Sequence, residues 1–155
     1  MRTAFVQCPD AAHAESMTAA LRATRLMGHP LVSALASQLL LDGSAQSLLA
    51  QVRSEARERM RMARYLLAPS LLQRAEGLHA WCRVPAPWTD ATLVRTAQLQ
   101  GLAIAPSSAF CPPGVLHQNG VRLSLGLAAD RRQLESALRR IDRLLLSDAL
   151  PAIER

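Results

Sequence analysis

The chain has 155 residues, half of them hydrophobic, and its 18 basic side chains against 12 acidic ones give a formal charge of +6. Every one of the 18 basic residues is arginine. A chain without lysine forms no side-chain Schiff base, which excludes lysine-dependent pyridoxal phosphate, aldolase-type and P-loop chemistry from its own residues.

A domain of this length buries about 70% of the surface its unfolded chain exposes, enough for one core or for one core and a small appendage. Neither a signal-peptide pattern nor a run of about 18 apolar residues is present, so a cytoplasmic protein with no membrane span is expected. The cysteines, Cys8, Cys82 and Cys111, are odd in number and widely spaced. They read as free thiols in a reducing compartment, with Cys82 in the core, and no metal-ligand spacing accompanies them.

In chain order, Thr3 to Gln7 reads as a short apolar strand. Asp10 then caps a helix, because its carboxylate accepts from free first-turn amides. Met17, Ala20, Leu21, Thr24 and Met27 recur there at helical spacing, and Gly28-His29-Pro30 ends the run. Pro30 suits the first position of a second helix, Leu31 to Leu41, which is apolar almost all round and so needs cover on several sides. Asp42-Gly43 ends it.

A long helix follows from about Ser44 to Leu67, with Leu48, Leu49, Val52, Ala56, Met60, Ala63 and Leu67 on one stripe. Its other face interleaves arginine with glutamate, the pattern of a solvated helix face; Glu55 and Arg59 stand at i,i+4, as Glu135 and Arg139 do near the C-terminus. From Gly77 the period becomes two. Leu78, Ala80, Cys82 and Val84 alternate with His79, Trp81 and Arg83, so a strand with one core face is predicted.

After the connector Pro85-Ala86-Pro87, Thr89 caps a helix to about Gln100, Trp88 is placed to staple onto Leu93, and Gly101 stops the helix. Leu102 to Ala105 is a short strand and Pro106 to Gly120 a loop. Val121, Leu123 and Leu125 alternate with Arg122 and Ser124 in another strand. Asp130 caps the last helix, which turns Leu134, Ala137, Leu138, Ile141 and Leu145 inward. The fold class is α/β, an α+β sandwich with one helical layer.

The words within these elements resemble the C-terminal part of MocR-type regulators, in which a GntR-type winged helix is fused to a fold-type-I aminotransferase-like domain. The similar segments are Gly77-Leu78-His79-Ala80-Trp81, Pro87-Trp88-Thr89, Gly101 to Ser107, Ala109-Phe110 and Val121-Arg122-Leu123-Ser124-Leu125-Gly126. Asp42-Gly43, Arg53, Arg59 and Leu66-Leu67 resemble the long helix of the same domain, and Met1-Arg2-Thr3-Ala4-Phe5-Val6 the segment just after the cofactor lysine.

The resemblance implies a small C-terminal aminotransferase domain, residues 44–155, preceded by a strand and two linking helices, residues 1–43. It also implies that the winged helix and the lysine lie before Met1, so that DNA is contacted only through that absent domain. By resemblance, Arg2 holds the phosphate of pyridoxal phosphate, the parent's cofactor, which this chain does not bind covalently. Arg122 takes the carboxylate of an amino-acid or amine effector. A guanidinium suits both tasks, since its fork donates two parallel bonds to an oxyanion. The sequence departs from the family at Ala4, where glycine follows the phosphate arginine.

Other readings stand beside this one. Arg122 is equally a surface arginine on a strand's polar face, and Arg2 a solvated terminal residue. His79, Trp81 and Arg83 line a cleft or pack against a helix or neighbouring domain. His13, His29 and His117 read as structural or solvated. Ser107, Ser108 and Cys111 lack a paired base, and no acid pair suits general acid–base work, so no catalytic residue is assigned. The chain is expected to be a catalytically incompetent effector-domain fragment and a homodimer. The alternatives are a stand-alone homo-oligomeric interaction module, the C-terminal part of a true class I/II aminotransferase, or a basic nucleic-acid binder.

Overall fold

A computed structural model describes residues 4–25, 28–73, 77–112, 114–116 and 118–146. The chain divides into two compact units, Met1–Gln51 and Val52–Arg155.

The first unit holds helices α1 (Ala11–Arg25) and α2 (Pro30–Leu41) and the start of α3 (Ser44–Leu66). Asp10 caps α1 as expected: its carboxylate accepts the His13 backbone N–H at 2.9 Å and meets the His13 ring at 2.8 Å. The His13 amide is the chief reason the Asp10 carboxyl lies below its ordinary value. Pro30 opens α2, and the Asp42 N–H returns to the Gln38 carbonyl at its end. Gly43 follows at φ 79°, a left-handed turn that glycine enters without a steric penalty.

One expectation fails in this unit. Residues 4–8 form no strand, because a strand needs a ladder partner and no described residue supplies one. On α1 the residues at helical spacing include the exposed Met17 and Leu21, and Met27 lies outside the described residues.

The second unit is a two-layer sandwich. A three-stranded antiparallel sheet in the order β1-β3-β2 is built from β1 (His79–Arg83), β2 (Ala105–Pro106) and β3 (Gly120–Ser124). The remainder of α3, together with α4 (Asp90–Leu99) and α5 (Arg131–Leu146), supplies the helical layer. Met60, Ala63, Ala80, Cys82, Leu93, Ala97, Val121, Leu123, Leu138 and Ile141 belong to one buried cluster drawn from all three helices, β1 and β3. Burial in that cluster pushes the Cys82 thiol up to about 12, so it stays protonated and inert.

The α3 stripe is buried from Ala56 onward, whereas Leu48, Leu49 and Val52 are exposed. Burial follows the core, and the core of this unit begins near Met60 rather than at the helix start.

Local signals set the ends of α4. Thr89 and Thr92 exchange side-chain and backbone hydrogen bonds in a capping box, and Trp88 and Leu93, the staple pair, are both buried in the core. At the other end the Leu102 N–H reaches the Ala97 carbonyl and the Gly101 N–H the Gln98 carbonyl, both at 2.9 Å. This is a Schellman stop, which Gly101 permits at φ 71°.

That stop also explains why β2 is shorter and later than predicted. Leu102 has its amide committed to the helix end, so pairing starts only at Ala105, opposite Arg122. Pro106 is tolerated because β2 is an edge strand. The loop expected over 106–120 contains a 3₁₀ turn, η1 (Ser107–Phe110).

Arg59, read in the sequence as part of a solvated face, is buried. Its Nη1 donates to the Leu125 and Ala128 carbonyls, both at 2.8 Å, and its Nε to Glu55 at 2.8 Å. Glu55 also accepts from Arg131, and the two guanidinium groups, Arg131 foremost, lower its carboxyl from 4.5 to about 2. Because the folded-state value is the lower one, the ion pairs add stability above about pH 4.5 that is lost as the pH falls towards 2. In a thermal-melting series across that window, Glu55→Gln is expected to flatten the pH dependence relative to the parent chain. An unchanged slope contradicts the assignment.

Candidate functional site

The sheet buries one face under the helices and presents the other. Cross-strand partners in an antiparallel pair share a face, so the register His79↔Ser124, Trp81↔Arg122 and Arg83↔Gly120 puts the side chains of His79, Trp81, Arg83, Arg122 and Ser124 on the open face. Ser124 Oγ lies 3.2 Å from His79 Nδ1, and Ala105 of β2 stands opposite Arg122 from the other side.

Phe110, at the end of η1, completes the group. The Arg122 guanidinium carbon lies 4.4 Å from the centre of its ring, and Trp81 meets the same ring edge-on with centroids 5.2 Å apart. A cation over an aromatic face is attracted by the ring quadrupole, worth about 0.5–1 kcal/mol where exposed and more where desolvated. Among the described residues, Arg122 Nε is the one buried side-chain polar atom with no hydrogen-bond partner. A buried donor left unpaired costs roughly 1–3 kcal/mol, a cost commonly met where a ligand completes the bond. Beside the stack a cavity of about 160 Å³ is lined by Trp81, Phe110, Gln73, Cys111 and Gln118.

The position of η1, and so of Phe110, is set by a polar knot. Asp90 Oδ2 accepts from the Ser107 hydroxyl at 3.0 Å and from the Ser108 N–H at 3.3 Å, and the same hydroxyl lies 2.6 Å from the Gln118 carbonyl. Asn119 receives the Asp90 N–H at 2.7 Å and donates to the Val84 and Trp88 carbonyls at 3.1 and 2.8 Å. The connector, the start of α4, the 3₁₀ turn and the entry to β3 are thereby tied together. Ser107 is thus a structural hydroxyl, in keeping with the absence of a paired base in the sequence.

Of the two arginines singled out by sequence, Arg122 stands at the centre of this group and Arg2 lies outside the described residues. His79 and Trp81 join Arg122 on the open face. His13 pairs with Asp10, His29 precedes α2 and is exposed, and His117 lies outside the described residues. The role of Phe110 as the platform was not read from sequence. Its only signal was membership of the Ala109-Phe110 word, which carries no charge or spacing that points to Arg122.

The donor set also decides what the site can hold. A guanidinium on an aromatic ring, with hydroxyl, imidazole and amide neighbours and no lysine, suits a carboxylate. It does not suit covalent attachment of pyridoxal phosphate, so no chemical step through that cofactor follows from these residues.

No protein-family model matches the chain, and no curated protein matches it. Solved structures do. The α-aminoadipate aminotransferase LysN from Thermus thermophilus, complexed with N-(5'-phosphopyridoxyl)-L-leucine, is 24% identical with a TM-score of 0.71, over 86% of this chain and 35% of that one. N-Succinyldiaminopimelate aminotransferase from Mycobacterium tuberculosis is 22% identical with a TM-score of 0.72, over 88% of this chain and 36% of that one. The fold is that of part of a fold-type-I aminotransferase, and the chain spans about a third of the length of these two proteins.

Proposed function

We propose that the chain is the C-terminal part of an aminotransferase-like effector domain of a MocR-type transcriptional regulator, with Arg122 receiving the carboxylate of an amino-acid or amine effector. The observation that carries the reading is the buried Nε of Arg122, unpaired among the described residues, on a guanidinium whose carbon lies 4.4 Å from the centre of the Phe110 ring. An arginine kept on a strand face for solubility alone has its nitrogens in water. Here one nitrogen has almost no solvent exposure and no hydrogen-bond acceptor among the described residues. The solved aminotransferases of similar fold, one of them complexed with a phosphopyridoxyl amino acid, support the same class of ligand.

Pyridoxal phosphate belongs in this reading to the parent protein, with Arg2 toward its phosphate and the attaching lysine supplied from outside the chain. Where bound, it supplies an electron sink for carbanion chemistry. This chain's share is to bind and orient the carboxylate, so it has no transaminase activity by itself. The expected setting is cytoplasmic, and no helix of the described residues is long and apolar enough to cross a membrane.

Binding is tested by recording the Trp81 indole and the β3 amide resonances while titrating an L-amino acid and its primary amide. The acid is expected to shift them at millimolar concentration and the amide to leave them in place. Equal shifts from both contradict the carboxylate role. The regulator reading separates from an enzyme reading through the reading frame upstream of Met1: a winged helix there supports the first, an aminotransferase large domain alone the second.

A homodimer belongs to the same proposal. Leu31, Leu35, Leu40 and Leu41 of α2 are exposed, and an apolar patch of this kind is uncommon on a soluble monomer. Light scattering at micromolar concentration is expected to give twice the chain mass, and a monomer contradicts it.

A further inference from the structure

Phe110 borders two different surroundings. One is the Arg122 guanidinium, 4.4 Å from its ring centre; the other is the cavity of about 160 Å³ that its ring walls together with Trp81, Cys111 and Gly120. The sheet sets the two side by side. Trp81↔Arg122 and Arg83↔Gly120 are successive pairs on one face of the ladder, so Gly120 stands two residues, about 7 Å, along β3 from Arg122.

The cavity differs from its neighbour in chemistry. Among the described residues, no charged side chain lines it. Its polar members are already engaged. The Ser107 hydroxyl is bonded to Asp90 and to the Gln118 carbonyl, and the Asn119 amide to the Val84 and Trp88 carbonyls and the Asp90 N–H. Gln73 Nε2 meets Gln118 Oε1 at 3.4 Å, and burial keeps the Cys82 thiol neutral. Two aromatic rings, the Cys111 sulfur and the bare backbone of Gly120 are left to meet a ligand. An apolar space of about 150 Å³ is enough for a molecule the size of benzene.

We infer that this cavity receives the side chain of the amino acid whose carboxylate meets Arg122, and that it restricts this ligand to uncharged, apolar side chains up to about the size of a benzene ring. The inference rests on the carboxylate reading of Arg122. Carboxylate and side chain diverge from one Cα, which suits two adjoining compartments that share the Phe110 wall. Apolar atoms entering the cavity leave water at a gain, whereas a charged group entering it forfeits its hydration and finds no counter-charge.

Resonance-shift titrations of the full chain with L-leucine, L-alanine and L-aspartate, and with the primary amides of the first two, test it. Aspartate copies the branching of leucine and adds a charge. Each CH₂ buried is equivalent to about a fourfold gain in affinity, so leucine is expected to bind at least tenfold tighter than alanine, with a similar ratio between their amides. Aspartate is expected to bind no tighter than alanine. Cys111→Met, which lengthens one wall into the cavity, is expected to cut the leucine advantage to about twofold or less and to leave the preference of alanine over its amide unchanged. Four results overturn the inference: equal affinity for leucine and alanine, aspartate as tight as leucine, the full leucine advantage retained in Cys111→Met, or no binding by any of these ligands. The amides separate this inference from the reading beneath it. Acids preferred over amides with leucine equal to alanine removes the cavity and leaves Arg122 as the carboxylate contact. Leucine preferred over alanine with acids equal to amides keeps the cavity and removes the carboxylate role. The series in the parent chain carries the test if Cys111→Met is unfolded.

Discussion

Arg59→Ala is expected to lower the unfolding free energy by about 3 kcal/mol, the largest effect of any single exposed-looking position in the sequence. Three hydrogen bonds from a charged donor are lost, and two of them end on the Leu125 and Ala128 carbonyls of the turn between β3 and α5. Each bond from a charged group contributes roughly 1.5–3 kcal/mol, and a buried acceptor left bare costs about 1–3. Water entering the space and reaching the half-exposed Glu55 returns much of this, so the expected total lies below the sum of the three bonds. Arg59→Lys is expected to recover less than half, since one ammonium cannot place donors on Glu55, Leu125 and Ala128 together. Urea unfolding measures both. A loss below about 1 kcal/mol for alanine contradicts the role as a tie between α3 and the turn.

Arg122 behaves in the opposite sense. Arg122→Gln is expected to weaken carboxylate binding by about 10- to 150-fold, because a fork of charge-assisted bonds worth roughly 1.5–3 kcal/mol is removed, at 1.4 kcal/mol per decade. Stability, by contrast, is expected to hold or to rise slightly. The buried Nε already lacks a partner, so the variant gives up an unmet desolvation cost together with a modest attraction to Phe110. These two outcomes would separate the two arginines of the sandwich: Arg59 as a tie within the fold, Arg122 as a proposed ligand contact. A drop in stability of more than about 2 kcal/mol in Arg122→Gln returns it to the structural class.

The difference between these residues also marks what the chain's letters reveal. Thr89, Gly101 and Asp130 announce helix ends because capping is a local transaction, completed within a few residues. The alternation from Leu78 to Val84 and from Val121 to Leu125 announces two strands, since a sheet with one covered face imposes period two.

Arg59 was hidden because its partners stand 66 and 69 residues away, and nothing nearby distinguishes it from the solvated arginines on either side. Asp90 looks like an ordinary first-turn acid, although it anchors the 3₁₀ turn that presents Phe110. The strand expected over 102–105 starts only at Ala105, because two local signals overlap at Leu102 and the helix stop took the amide. At the candidate site, Trp81 and Arg122 were each legible on the polar face of its own strand, but the pairing that sets them opposite one another was not, because register between strands distant in sequence leaves no local signal. The ring beneath the guanidinium belongs to a loop, where no periodicity operates.

Charge required the same correction by position. The excess of +6 was spread by the sequence pattern over interleaved faces. Among the described residues it includes arginines met by acids or carbonyls, such as Arg59 and Arg131, and one, Arg122, beside an aromatic ring and incompletely bonded.

The claim on which the account rests is that Arg122 on its aromatic platform is a carboxylate site. A thermodynamic cycle tests it most directly: the parent chain and Arg122→Gln, each titrated by resonance shifts with an L-amino acid and with its primary amide. The account predicts that the parent prefers the acid by at least tenfold and that this preference disappears in the variant while its melting temperature is maintained. Equal preference in the two proteins, or no discrimination between acid and amide in the parent, would contradict it.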